Sequence, residues 1–267
     1  MSNDQYVARL SVWRALLEGA KLAWRHRLDV VKLAGPLLVL LILVEQLGLA
    51  ASVAVDSDKA VFWDHLIYVL CLVLIVVLYT VLDYHLYRSA LGEKVGSAIE
   101  IDWPIFRRLF VAWLKLVGLF FLGVPGVVVV GFIAALIYLQ GFDREVFDHA
   151  AEALNGTLLY IWFAILMMRL TFYFPDMAMG RVVKLRSAWR ETWNLPVGLC
   201  MGLFAFYMIR WCLPTSLSQP FTDTDYQTRL WLLGKSIWEF AVYVLTIFMV
   251  SVLYQQWRTL HRAPVEV

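Results

Sequence analysis

Six long apolar runs dominate the sequence, at roughly 31–54, 63–86, 116–139, 156–175, 196–214 and 231–254. A hydrocarbon core about 30 Å thick takes about 20 apolar residues of helix to cross, and each run is close to that length. Membrane β-strands would be about ten residues long with alternating polarity, and the runs do not alternate. Charged residues make up 16% of the chain, against roughly 25% in soluble domains. Such a surface is too poor in charge to face water. The expected fold is therefore all-α: a polytopic membrane protein of six transmembrane helices, with amphipathic interfacial helices on the cytoplasmic side. It forms one integral membrane domain over 1–267.

The basic residues set the expected orientation. Arg9, Arg14, Lys21, Arg25, Arg27 and Lys32 lie before or at the edge of the first run. Arg88, Lys94, Arg107, Arg108 and Lys115 follow the second run, Arg181, Lys184, Arg186 and Arg190 the fourth, and Arg258 and Arg262 the sixth. The other side carries only Lys59, Arg144, Arg229 and Lys235, among acidic residues such as Asp56, Asp143, Glu145 and Asp223. Loops rich in Lys and Arg stay in the cytoplasm, which puts both termini there. The opening residues lack the basic start, short apolar core and small-residue cleavage site of a secretory leader. Asn155-Gly156-Thr157 is a glycosylation tripeptide at the outer membrane edge, of a kind common by chance.

The basic segments share a design. In the first, an interfacial helix within 1–29, Arg14, Glu18, Lys21 and Arg25 follow helical spacing, opposite Trp13, Leu16, Leu17, Ala20 and Trp24. In the second, Ile105, Phe106, Leu109, Phe110 and Trp113 oppose Arg107, Arg108 and Lys115; in the third, Val182, Leu185, Trp189 and Trp193 oppose Arg181, Lys184 and Glu191. A helix with Trp on one face and Arg or Lys on another lies in the membrane interface. Arg14, Lys21, Arg25, Arg107, Arg108, Arg181 and Lys184 are thus the expected membrane-surface basic residues, with anionic lipid as a partner. Each segment is followed by Gly and Pro near a span entrance: Gly35-Pro36, Gly123–Gly126 and Pro196–Gly198. The helix-plus-hairpin pattern runs over 7–86, 103–175 and 181–256. True internal repetition and the general layout of membrane proteins both produce it.

Ionisable residues at membrane depth are functional candidates. Glu45, Arg210 and Glu239 fall at a similar level in the outer half, and suggest a charge cluster that is either a staple between spans or a transport or proton site. Arg169, Asp83 and Asp176 belong to the inner level, with Arg169 expected to pair with Asp83 or Asp176. Pro175 is expected to mark where the fourth span meets the cytoplasmic surface.

No phosphate-binding Gly-rich loop, HExxH, GxSxG or GxGxxG occurs. The three cysteines show neither a disulfide framework nor metal-ligand spacing. The net charge of +2 argues against a nucleic-acid partner. The expectation is a protein without catalytic residues, metal or cofactor.

The stretch "RLTFYFPDMAMGRVVKLRSAW" from Arg169 to Trp189 resembles a broad group of bacterial six-span proteins. These include the YciC-like proteins and the membrane region attached to some glycerophosphodiester phosphodiesterases. The shared features are Arg169 in the fourth span, Pro175 after it, and Ala188-Trp189 in the following helix, where that group often has Ser before Trp. The Trp-bearing helix ahead of the first span, "WRALLEGAKLAWRHR", fits as well. The resemblance implies a bacterial inner-membrane protein with no assigned reaction. With no phosphodiesterase domain in the sequence, that activity does not carry over. Taken together, the sequence leads to an accessory, scaffold or envelope-homeostasis role that engages lipid or a membrane-protein partner. The alternative is a small permease or lipid-handling transporter using the intramembrane charges.

Overall fold

An apolar run satisfies its backbone most completely as a helix, because every N–H finds a carbonyl within the same segment. The computed structural model follows that rule. It describes residues 11–55, 62–93, 101–138, 144–193, 195, 197–216 and 225–261, and every regular element among them is helical. In chain order these are α1 (Val12–Arg25), α2 (Arg27–Val55), α3 (Phe62–Ala90), α4 (Trp103–Tyr138), α5 (Arg144–Arg169), α6 (Tyr173–Ala178), α7 (Leu185–Trp193), α8 (Val197–Ser216) and α9 (Asp225–His261).

Among the described residues, three helices are long and apolar enough to cross a membrane: His65–Ala90 in α3, Trp103–Ile133 in α4 and Gly234–Thr259 in α9. Leu154–Arg169 of α5 is a shorter apolar helix, and α7 and α8 qualify together but turn by 117° between them. Six crossings were expected, and fewer are clear from length and composition.

The second basic segment differs from the first and third. α1 and α2 are divided at His26, and α7 turns sharply into α8, but α4 runs unbroken for 36 residues. Asp102 accepts a hydrogen bond from Ile105 N–H at 3.4 Å in the manner of an N-cap. Pro104 falls in the first turn, where a missing N–H is no loss. From Ile105 to Gly123 nothing breaks helical order, so the expected separate interfacial helix is the first four turns of α4.

The fourth apolar run also ends earlier than expected. α5 stops at Arg169, and the chain turns at Leu170–Phe172 before α6 begins. Thr171 donates its hydroxyl to Met167 O at 2.8 Å, a local bond that competes with the helical ladder. Pro175 sits inside the first turn of α6. It follows the break rather than causing it.

Burial is concentrated at the end of the bundle that carries the basic segments. In α3, residues from Phe62 to Leu74 are mostly exposed, whereas from Leu78 to Tyr87 nearly all are buried. In α4, Phe106, Leu109, Ala112 and Leu116 are buried at helical spacing, while Val128–Val130, Phe132 and Ile133 are exposed. The buried stretch of α9, Tyr243 to Tyr254, joins the same core as α1, α6 and the start of α8. At Gly19, α1 crosses α9 so closely that an added Cβ would lie 2.7 Å from the backbone nitrogen of Met249. No side chain fits there, which is why a helix otherwise rich in Leu, Ala and Trp carries glycine at that turn.

Candidate functional site at the basic end

Asp83 and Asp176 are buried in this core and Arg169 is half-buried beside it, but they do not pair with one another. Asp83, 3% exposed, is held between two neighbouring helices. Trp113 of α4 donates its indole N–H to Oδ2 at 2.8 Å, and Tyr243 of α9 donates its hydroxyl to Oδ1. Tyr79 stacks edge-on against Tyr243 at 4.9 Å and lies beside Trp113. A buried carboxylate is tolerated when its oxygens are hydrogen-bonded. Here it ties α3, α4 and α9 together at one level.

Arg169 reaches neither Asp83 nor Asp176, which corrects the expected pair. Its Nη1 donates to the backbone carbonyl of Thr192 at 3.2 Å, and its guanidinium lies over the Trp193 ring at 4.3 Å. Thr192 returns the contact, donating its hydroxyl to Arg169 O at 2.9 Å. α5 ends at Arg169 with carbonyls lacking intrahelical partners, and Thr192 supplies a donor there. The outcome is a reciprocal clamp between the end of α5 and the end of α7.

Asp176, buried in α6, accepts from Tyr254 of α9 and from Arg181 Nη1 at 3.4 Å. The chain leaves α6 through Gly180 at φ +73°, the left-handed conformation that glycine adopts without strain. Arg108 at the start of α4 donates to Gly180 O at 2.8 Å. Two of the expected surface cations, Arg108 and Arg181, therefore anchor the loop between α6 and α7.

Of the outer-level cluster, Glu239 alone has its side chain among the described residues. Glu239 is partly exposed and pairs with Lys235 of its own helix at 3.8 Å; the side chains of Glu45 and Arg210 lie outside the described residues. Asn155 of the glycosylation tripeptide turns its amide oxygen, which is buried, onto Gly131 of α4. Trp162 similarly covers Gly123, a residue of the Gly-Pro stretch in α4.

The basic helices present their charges in two ways. α1 has three faces rather than the expected two. Val12, Ala15 and Gly19 are buried against the bundle. Trp13, Leu17 and Trp24 are exposed, Trp13 by 68% and Trp24 by 69%. At 3.6 residues per turn this stripe is centred roughly 145° from the buried one. Arg14, Lys21 and Arg25 form the third, also exposed. Glu18, between them, accepts from Arg14 at 2.9 Å and from Gln256 of α9 at 3.0 Å. α7 borders an open groove of about 760 Å³, lined by Lys184, Arg186, Ser187, Arg190, Glu191 and Trp193. Trp193 was expected on the apolar face of this segment, whereas Arg186 and Arg190 carry no individual signal in the sequence. The signal was collective, four basic residues between the fourth and fifth runs.

Fold and site together define a class: an all-helical protein with several apolar helices of membrane-crossing length, packed tightest at a basic, aromatic-rich end. No family model, curated protein or solved structure matches the chain. The resemblance to six-span proteins thus rests on Arg169 to Trp189 and on the Trp-bearing helix near the start.

Proposed function

We propose that the chain is a bacterial inner-membrane protein with six spans and both termini in the cytoplasm, acting by binding rather than by catalysis. Its role is accessory or scaffolding, and its basic, tryptophan-bearing helices hold anionic lipid at the cytoplasmic face. The observation that carries this reading is the threefold division of α1. A helix docked on the bundle by Val12, Ala15 and Gly19 has no packing use for exposed Trp13, Leu17 and Trp24. An apolar stripe flanked by Arg14, Lys21 and Arg25 matches a bilayer interface, where aromatic residues sit at headgroup level and cations meet lipid phosphates.

The test is thermal unfolding of the full chain in neutral detergent, with phosphatidylglycerol or phosphatidylcholine added. Each Lys or Arg near an anionic surface contributes about 1 kcal/mol. Phosphatidylglycerol is expected to raise Tm more than phosphatidylcholine, and Arg14→Gln/Lys21→Gln/Arg25→Gln to reduce that difference. Equal responses to the two lipids would refute the reading.

A further inference from the structure

The groove beside α7 is placed differently from the stripe on α1. We infer that it is a discrete binding site for the phosphate-bearing headgroup of one anionic phospholipid. This deepens the lipid-binding reading above and rests on it.

Charge complementarity is the first argument. Lys184, Arg186 and Arg190 border the groove with a single acid, Glu191, leaving a net positive lining suited to a phosphodiester. Arginine presents planar, paired donors that match phosphate oxygens. Arg186 and Arg190 are one helical turn apart on α7 and are exposed. Neither has an ion pair among the described residues.

The second argument concerns the source of the phosphate. A free anion and a lipid headgroup offer the same chemistry, but the groove's last lining residue, Trp193, lies four positions before an apolar stripe. Trp193 is 67% exposed, at the edge of the groove. Immediately beyond, α8 exposes Val197, Met201, Ala205 and Ile209 at four-residue spacing, one continuous stripe along the helix. The 117° turn from α7 into α8 sets a basic helix across the start of an apolar one. That geometry holds a headgroup at α7 and lays acyl chains along α8.

The third argument is rigidity. Trp193 is backed by the Arg169 guanidinium, and Thr192 is bonded to the end of α5. The α7 wall is therefore fixed before any ligand arrives, which lowers the ordering cost of binding.

The experiment is native mass spectrometry of the full chain released from detergent, with phosphatidylglycerol titrated in. Arg186→Gln/Arg190→Gln is compared with Arg186→Lys/Arg190→Lys and with the triple α1 variant. At about fivefold per charge, the Gln pair should weaken the tightest bound lipid about 25-fold. The α1 variant should keep it, the Lys pair should weaken it less than the Gln pair because it retains charge but not the paired donors, and melting without lipid should stay unchanged in all three. Native-like binding by the Gln pair, while phosphatidylglycerol still outperforms phosphatidylcholine, overturns the groove but leaves the general reading intact. Equal binding of both lipids overturns both. Displacement of the bound lipid by millimolar inorganic phosphate overturns the lipid assignment in favour of a soluble anion.

Discussion

Replacing Asp83 separates two views of a buried carboxylate in an apolar helix. If its work is to accept hydrogen bonds, geometry should matter and charge should not. Trp113 offers only a donor, while the Tyr243 hydroxyl both donates and accepts. Asparagine at position 83 satisfies both: its oxygen takes the indole N–H, and its amide donates to the tyrosine oxygen. Asp83→Asn should therefore lose less than about 1 kcal/mol, comparable to the modest energies of interhelical hydrogen bonds. Asp83→Ala removes the acceptor that Trp113 and Tyr243 share, at about 1–3 kcal/mol for each lost bond, and with it the tie between α3, α4 and α9; the expected loss is about 3 kcal/mol. For a chain of this size 1 kcal/mol is about 2–4 °C in Tm. Alanine should thus lower Tm by about 6–12 °C in detergent, and asparagine by under about 4 °C. Tyr243→Phe, which removes one donor and its bond together, should fall near the asparagine value. An asparagine variant as damaged as the alanine variant would refute the reasoning, because the charge itself would then be what the core requires.

Two further outcomes follow from close contacts. Gly19→Ala would place a Cβ 2.7 Å from the Met249 backbone; it should lose about 1–3 kcal/mol by overpacking and open α1 to trypsin at Arg14, Lys21 and Arg25. Protease resistance and melting equal to the parent would show that α1 does not dock there. Asn155, its amide oxygen buried on Gly131, should remain unmodified in a glycosylating host, so a glycosidase-sensitive mass shift would contradict the α4–α5 contact.

The sequence made the helical class readable because apolar run length depends only on neighbours along the chain. The basic helices were readable for the same reason, since helical spacing separates Arg14, Lys21 and Arg25 from Trp13 and Trp24. Partner choice was not. Asp83 found Trp113 and Tyr243 rather than Arg169, and nothing in a hydropathy pattern says which tryptophan turns its N–H inward. Arg169 found a backbone carbonyl, an acceptor every residue carries and no sequence marks. The third face of α1 was hidden because small residues facing a helix and large residues facing outward both register as apolar. At the end of the fourth run Pro175 is the only boundary signal in the sequence, yet the turn is made at Leu170–Phe172, where no proline or glycine stands.

The crossing of α1 over α9 has a consequence for how the molecule is made. Gly19 and Met249 are 230 residues apart in sequence (249 − 19), and ribosomes add about 5–20 residues per second. Helix α1 therefore leaves the ribosome roughly 12–46 s before the residues it will cover exist. Throughout that interval the turn at Gly19 lacks the α9 backbone it packs against. In the membrane setting proposed above, the exposed Trp13, Leu17 and Trp24 stripe would give the nascent helix a place to wait on the bilayer surface, so that its final move, once α9 has inserted, would be a short roll in the plane rather than a search through water.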